Sequence, residues 1–123
     1  MKPSQLERTA AEVVARTQRA LPAEIREVAK RVAVHFEGAP AKDVLDEGFE
    51  PDLLGLFTGS SLGCEDQGQG AAPPQIHLYM ANLWDFAEED IGVFRDEVRL
   101  TYLHELGHFL GWDEDQVAAR GLD

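Results

Sequence analysis

The chain contains a single cysteine, Cys64, so an internal disulfide bond is excluded and a reducing compartment is expected. It also lacks any run of about 18 apolar residues, the length that a membrane-spanning helix needs. The segment after Met1 has none of the apolar stretch of a secretory signal peptide. These absences together predict a cytoplasmic protein.

Basic residues are scarce as well. The chain has 11 lysines and arginines against 23 acidic residues, which gives a net charge of −12. A surface of this sign repels the phosphates of nucleic acids and of anionic lipids, so we expect neither nucleic acid nor a membrane as a partner. The length of 123 residues and the apolar content of 44% predict one domain, residues 1–123, with a single core. Nothing in the sequence sets the oligomeric state, and a monomer is compatible with it.

The spacing of apolar residues predicts a chain of the α+β class. Apolar residues three to four positions apart predict helices, and alternating apolar residues predict strands. The predicted elements are helices at 4–21 and 22–29, a strand at 32–37, a loop at 38–51, a strand at 53–57, a loop at 58–74, a strand at 75–80, a helical region that opens at Asp85 and Glu88, and helices at 93–110 and 113–122.

The segment His104-Glu105-Leu106-Gly107-His108 has the pattern His-Glu-x-x-His. Two histidines four residues apart on a helix point the same way, so both imidazoles can hold one metal ion at about 2.0–2.1 Å. The glutamate between them can remove a proton from the attacking water. The motif predicts one metal ion bound by His104 and His108, with Glu105 as the general base. Zinc is the expected ion, and other divalent ions stay open as alternatives.

The helix that carries this motif is apolar on most of its sides, with Phe94, Leu103 and Phe109 among many others. Such a helix is predicted to be buried. Buried polar groups without partners cost about 1–3 kcal/mol each, and a metal ion would satisfy both histidines and the glutamate together.

A third metal ligand is expected shortly after the helix. A catalytic zinc ion usually has three protein ligands and one open position. Gly111 suits the end of a helix, and in the longer pattern His-Glu-x-x-His-x-x-Gly-x-x-His the third ligand comes three residues after the glycine. That position is Glu114, and its neighbours Asp113 and Asp115 remain alternatives.

Three segments of the chain are characteristic: Glu50-Pro51-Asp52-Leu53-Leu54-Gly55-Leu56-Phe57, Ile76-His77-Leu78-Tyr79 and the stretch from Val98 to Gly111. Together they resemble the small bacterial zincin-like metallopeptidases, which are also described as minimal matrix-metalloprotease-like domains. The resemblance implies a compact α+β zincin-like domain in which a small mixed sheet packs on an active-site helix beside N-terminal helices. It also implies His104, His108 and Glu114 as zinc ligands and Glu105 as the base. The glutamate at the third position is a mild departure, because relatives often have aspartate there. Both methionines precede the motif, so the Met-turn of the larger metzincins is absent.

The chain is therefore predicted to be a zinc-dependent peptidase that acts on peptide or protein substrates. The substrate is expected to add as an extended strand to an exposed sheet edge, and the strand at 75–80 is the expected edge because edges tolerate the preceding Pro73 and Pro74. His77 and Tyr79 on that strand are either oxyanion donors or ordinary strand residues. Two other functions stay open: a zinc-binding peptide-binding module without turnover, and a hydrolase of a small-molecule amide.

Overall fold

A computed structural model describes residues 1–62 and 72–112 of the chain. The described elements are α1 (Pro3–Ala20), α2 (Ala23–Ala29), β1 (Ala33–Glu37), α3 (Lys42–Asp46), β2 (Gly55–Thr58), β3 (Gln75–Tyr79), α4 (Met80–Phe86) and α5 (Ile91–Phe109). They form a single compact α+β unit, which confirms the predicted fold class. The segments 63–71 and 113–123 lie outside the described residues, and with them Cys64, the predicted last helix and the three candidate third ligands.

The three strands form one mixed sheet in the order β1-β3-β2. β3 pairs in parallel with β1 on one side and antiparallel with β2 on the other, so it is the central strand. The prediction that this strand is the exposed edge is therefore wrong. The prolines before it mislead because they precede the strand and remove no hydrogen bond from within it; the carbonyl of Pro74 instead accepts a hydrogen bond from the Ala33 N–H.

One face of the sheet packs against α1 and α5 to form the core. Ile76 and Leu78 of β3 are fully buried, and Val34 and Phe36 of β1 pack against the same cluster. The two long helices contribute a shared set of buried side chains: Leu6, Ala10, Val13, Val14, Phe94, Val98, Tyr102, Leu103, Leu106 and Phe109. The core thereby holds α5 against the sheet along most of the helix, which fixes the position of the motif that it carries.

The helices begin at residues other than those predicted. α1 begins at Pro3, and the main-chain N–H of Lys2 donates to Oε1 of Gln5 at 3.0 Å. α5 is opened by Asp90, whose Oδ1 accepts a hydrogen bond from the Val93 N–H at 3.0 Å. The prediction that a helical region opens at Asp85 is wrong, because Asp85 lies inside α4, which begins at Met80. At the starts of α1 and α5, a side-chain oxygen thus accepts a hydrogen bond from a main-chain N–H that has no partner within the helix.

The short helix α3 interrupts the segment predicted to be a loop. It has only five residues and none of them is buried. A helix that buries no face has no apolar periodicity, so the sequence carried no signal for it. Among the helices of residues 1–62 and 72–112, none combines the length and apolar character that crossing a membrane requires.

Candidate metal centre

The last two turns of α5 bring His104 and His108 together at the surface of the molecule. Their Nε2 atoms are 3.2 Å apart, and the ring planes are nearly perpendicular, at 87°. Two nitrogen ligands at about 2.0–2.1 Å from a tetrahedral zinc ion would be separated by about 3.3–3.4 Å. The observed separation therefore fits a shared zinc ion. A carboxylate oxygen of Glu105 completes a group whose candidate ligand atoms all lie within 4.8 Å of one another.

The exposure of the three motif residues differs from the prediction that all are buried. Glu105 is only 8% exposed, whereas His104 is half-buried and His108 is exposed. α5 turns its buried face toward the sheet and α1, which leaves the two imidazoles toward the solvent. A metal ion is thus not needed to satisfy buried imidazoles, and the histidines are instead accessible to an incoming ligand.

The carboxylate of Glu105 is held between α5 and β2. It accepts a hydrogen bond from the main-chain N–H of Phe57. Burial raises the pKa of Glu105, while the electrostatic interaction with His104 and the Phe57 hydrogen bond act in the opposite direction. The net result is a raised pKa of a buried carboxylate that one main-chain N–H holds.

The outer edge of β2 faces this carboxylate. The Tyr79 N–H donates to the Leu54 carbonyl at 3.0 Å, and Gly55 lies opposite Leu78. In an antiparallel pair the hydrogen-bonded and non-hydrogen-bonded positions alternate, so the main-chain groups of Gly55 and Phe57 point away from β3. The hydrogen bond from Phe57 to Glu105 agrees with this alternation. β2, rather than β3, is the edge strand beside the motif.

Gly55 allows β2 to approach α5 closely, a role that was not predicted for it. A Cβ atom at this position would lie 2.5 Å from Cγ2 of Thr101 and 3.2 Å from the main-chain oxygen of His77. Any side chain would therefore push the strand and the helix apart. The only signal in the sequence was a glycine inside an apolar strand, which often marks close contact with another backbone.

We expect Gly55→Ala to lower the free energy of unfolding by about 1–3 kcal/mol, because the added methyl group overpacks the contact between β2 and α5. Urea denaturation of the two proteins measures the change. Gly38→Ala is the matched control, since nothing lies within 4 Å of a Cβ atom at that position. Equal stabilities of the two variants would show that the close approach at Gly55 is not required.

A cavity of about 400 Å³ opens beside the motif, between β2 and α5. Its apolar walls come from both elements, and His104 and Glu105 supply polar groups. The lining residues are Leu53, Leu54, Gly55, Leu100, Thr101, His104 and Glu105. Its volume lies within the range of about 300–1,000 Å³ that is typical of small-molecule and side-chain pockets.

His77 does not reach this cavity. It alternates with the core residues Ile76 and Leu78 and so lies on the opposite face of the sheet. Its Nδ1 is 3.1 Å from Oε2 of Glu37 and its Nε2 is 3.1 Å from Oγ1 of Thr58. The side chain is therefore a member of a surface network on that face.

Tyr79 is only 1% exposed, which leaves no surface of its side chain for a substrate to contact. Burial raises the pKa of Tyr79 to about 12, and the nearby carboxylates of Glu37, Asp43 and Glu105 act in the same direction. The hydroxyl consequently keeps its proton at neutral pH. Its burial favours the simpler of the two interpretations, an ordinary strand residue.

The turn after α5 follows the prediction for Gly111. This glycine has a φ of +77°, and its N–H donates to the His108 carbonyl at 3.0 Å. The N–H of Trp112 donates to the Gly107 carbonyl at 2.9 Å, which completes a Schellman motif. The helix thus ends at Phe109, one residue beyond the motif, and the candidate ligands Glu114, Asp113 and Asp115 come directly after the described residues.

Comparison with known proteins agrees with the geometry of the site. No curated protein sequence matches the chain. A family model described as zincin-like metallopeptidase matches residues 29–122, which include the sheet, the cavity and the His-Glu-x-x-His motif. The match covers well over half of the sequence and confirms the resemblance noted above. The chain therefore belongs to the zincin-like metallopeptidase family.

Proposed function

We propose that this protein is a zinc-dependent peptidase with Glu105 as its general base. The observation that carries the proposal is the arrangement of three groups at the mouth of one cleft. Two imidazole nitrogens lie 3.2 Å apart, and a buried carboxylate, fixed by a main-chain N–H, lies beside them. Membership of a metallopeptidase family supports the same chemistry.

His104 and His108 would hold the zinc ion, and Glu114 would be the third ligand, with Asp113 and Asp115 as alternatives. Imidazole nitrogen and carboxylate oxygen together are a ligand set that zinc accepts in catalytic sites. When bound, zinc supplies a Lewis acid that polarises the scissile carbonyl and makes water more acidic. The exposure of His108 leaves a path from solvent for both metal and substrate.

Glu105 would remove a proton from the attacking water and deliver it to the leaving amine. A general base has to be positioned before its pKa matters, and the Phe57 N–H positions this carboxylate. Burial then raises its pKa, which strengthens it as a proton acceptor. The same N–H fixes the distance between the base and the edge strand.

The substrate would lie as an extended chain along the outer edge of β2. The main-chain groups of Gly55 and the carbonyl of Phe57 point toward this edge, where the Phe57 N–H already donates to Glu105. Peptides commonly bind to sheet edges in this way. A large apolar side chain of the substrate would enter the cavity between Leu53, Leu54 and Leu100. The peptide bond next to that side chain would then lie near the two histidines.

Digestion of a peptide library by the zinc-loaded protein, followed by mass spectrometry, tests this function. We expect cleavage at sites that have a large apolar residue beside the scissile bond. Leu100→Ser should weaken that preference about tenfold, because it makes the cavity wall polar. Ile91→Ser is the matched control, because Ile91 is 38% exposed and Leu100 is 37% exposed. Ile91 lies at the first residue of α5, away from the cavity.

The same digestion separates the alternatives. A non-catalytic module would bind library peptides and release them uncut, and a hydrolase of small-molecule amides would leave the library intact while it cleaved amide model compounds. Either result would contradict the peptidase proposal.

A further inference from the structure

A second groove, on another side of α5, collects three of the arginines of this acidic chain. It has a volume of about 240 Å³ and lies between α1 and α5. Its lining residues are Val13, Arg16, Thr17, Ala20, Arg95, Asp96 and Arg99. We refer to it as the arginine groove.

The arginine groove is separate from the candidate metal centre. Arg99 precedes His104 by five residues, which places the two side chains about 140° apart around the helix axis. The lining of the groove shares no residue with that of the cavity beside Glu105. A ligand in one would therefore not occupy the other.

The groove is formed where α1 packs against α5. Arg95 and Arg99 are one turn apart on α5, and Arg16 faces them from α1. Nε2 of Gln18 on α1 donates a hydrogen bond to the hydroxyl of the buried Tyr102 on α5, at 3.0 Å. The packing of the two helices thus brings Arg16 to the same groove as Arg95 and Arg99, although it is far from them in the sequence.

The charge of the groove is opposite to that of the whole protein. Three arginines and one acidic residue, Asp96, line the groove, in a chain whose net charge is −12. Among residues 1–62 and 72–112, the ion pairs within 4.0 Å are Lys30–Glu27 and His77–Glu37, and none involves these three arginines. No ion pair of the described residues therefore neutralises these three arginines. Salt weakens the repulsion of an anion by those acidic residues that lie more than about 8 Å from the groove.

We propose that the arginine groove binds a phosphate-type anion, either inorganic phosphate or the phosphoryl group of a small molecule. Each guanidinium group offers a planar fork of N–H donors, and three forks exceed what the two oxygens of a carboxylate can accept. A phosphoryl group has three or more acceptor oxygens and up to two negative charges, which matches three arginines less one aspartate. The apolar groups of Val13 and Ala20 beside them suit the carbon skeleton of a small phosphorylated ligand.

Isothermal titration of the zinc-loaded, full-length protein with inorganic phosphate tests the site, at constant ionic strength and with chloride as the reference anion. The key variant is Arg95→Gln/Arg99→Gln, which keeps the length and polarity of the side chains close to the original. Arg8→Gln/Arg31→Gln is the matched control, because it removes the same charge from two exposed arginines outside the groove. Phosphate that binds at the zinc ion instead would bind to all three proteins equally.

We expect saturable binding of phosphate to the wild type and to the control, and binding at least about tenfold weaker to the groove variant. Glycerol phosphate in place of inorganic phosphate identifies the source of the anion. Tighter binding of glycerol phosphate would indicate a phosphorylated small molecule, and equal binding would indicate free phosphate. The proposal is overturned if the wild type shows no saturable phosphate binding, or if the groove variant binds phosphate as tightly as the control does.

Discussion

Glu105→Gln is expected to reduce peptide turnover by a factor of about 10²–10⁴ while zinc remains bound. The amide has nearly the shape of the carboxylate but cannot take a proton from water. Its oxygen can still accept the hydrogen bond from the Phe57 N–H, so β2 should keep its place beside α5. We therefore expect Glu105→Gln to lose proton transfer while the cavity between β2 and α5 keeps its shape.

Initial rates on a peptide taken from the library digest measure this effect, and zinc content is determined on the same samples. Glu97→Gln is the matched control, because Glu97 lies on the same helix, is partly buried and does not line the cavity. Turnover unchanged in Glu105→Gln would remove Glu105 from the mechanism. A variant that lost zinc as well would instead assign the carboxylate to the metal.

The second large effect is expected from the histidines. His104→Ala and His108→Ala should each weaken zinc binding by more than about 100-fold, since removal of groups that merely orient metal ligands already costs 10–100-fold. Because His108 is exposed, its loss leaves no cavity in the core, and the metal-free variant should unfold at the same urea concentration as the metal-free wild type. The measurement is the number of zinc ions that remain bound per chain after dialysis.

His35→Ala is the control for these variants, because His35 is an exposed histidine that stacks on His77, outside the lining of the cavity beside Glu105. Retention of one zinc ion per chain by His108→Ala would exclude this histidine as a ligand. Glu114→Ala, compared in the same assay with Asp113→Ala and Asp115→Ala, identifies the third ligand.

The sequence predicted the features that depend on local spacing. The pattern from His104 to Gly111 predicted two imidazoles on one side of a helix and the glycine that ends it, and the structure shows both. Alternation and helical periodicity likewise predicted the α+β class. These features follow from the geometry of one element, so no knowledge of its neighbours is needed.

What depends on contacts between distant segments could not be predicted. The prolines before β3 suggested an edge, but strand order is decided by which segments pair, and β3 lies between β1 and β2. The apolar residues on most sides of α5 predicted a buried helix, yet Leu100 is 37% exposed beside the cavity and His108 faces solvent. The close contact of Gly55 with Thr101 joins two elements that are far apart in the chain, so only the fold reveals it.

The dependence of turnover on bound zinc tests the central claim most directly. Zinc is removed from the wild-type protein with a chelator and then restored stepwise, and the peptide cleavage rate is measured at each occupancy. We expect a rate near zero without zinc that rises in proportion to occupancy and saturates at one zinc ion per chain, with no such rise in His108→Ala. A zinc-free protein that cleaves the peptide as fast as the loaded one would contradict the account.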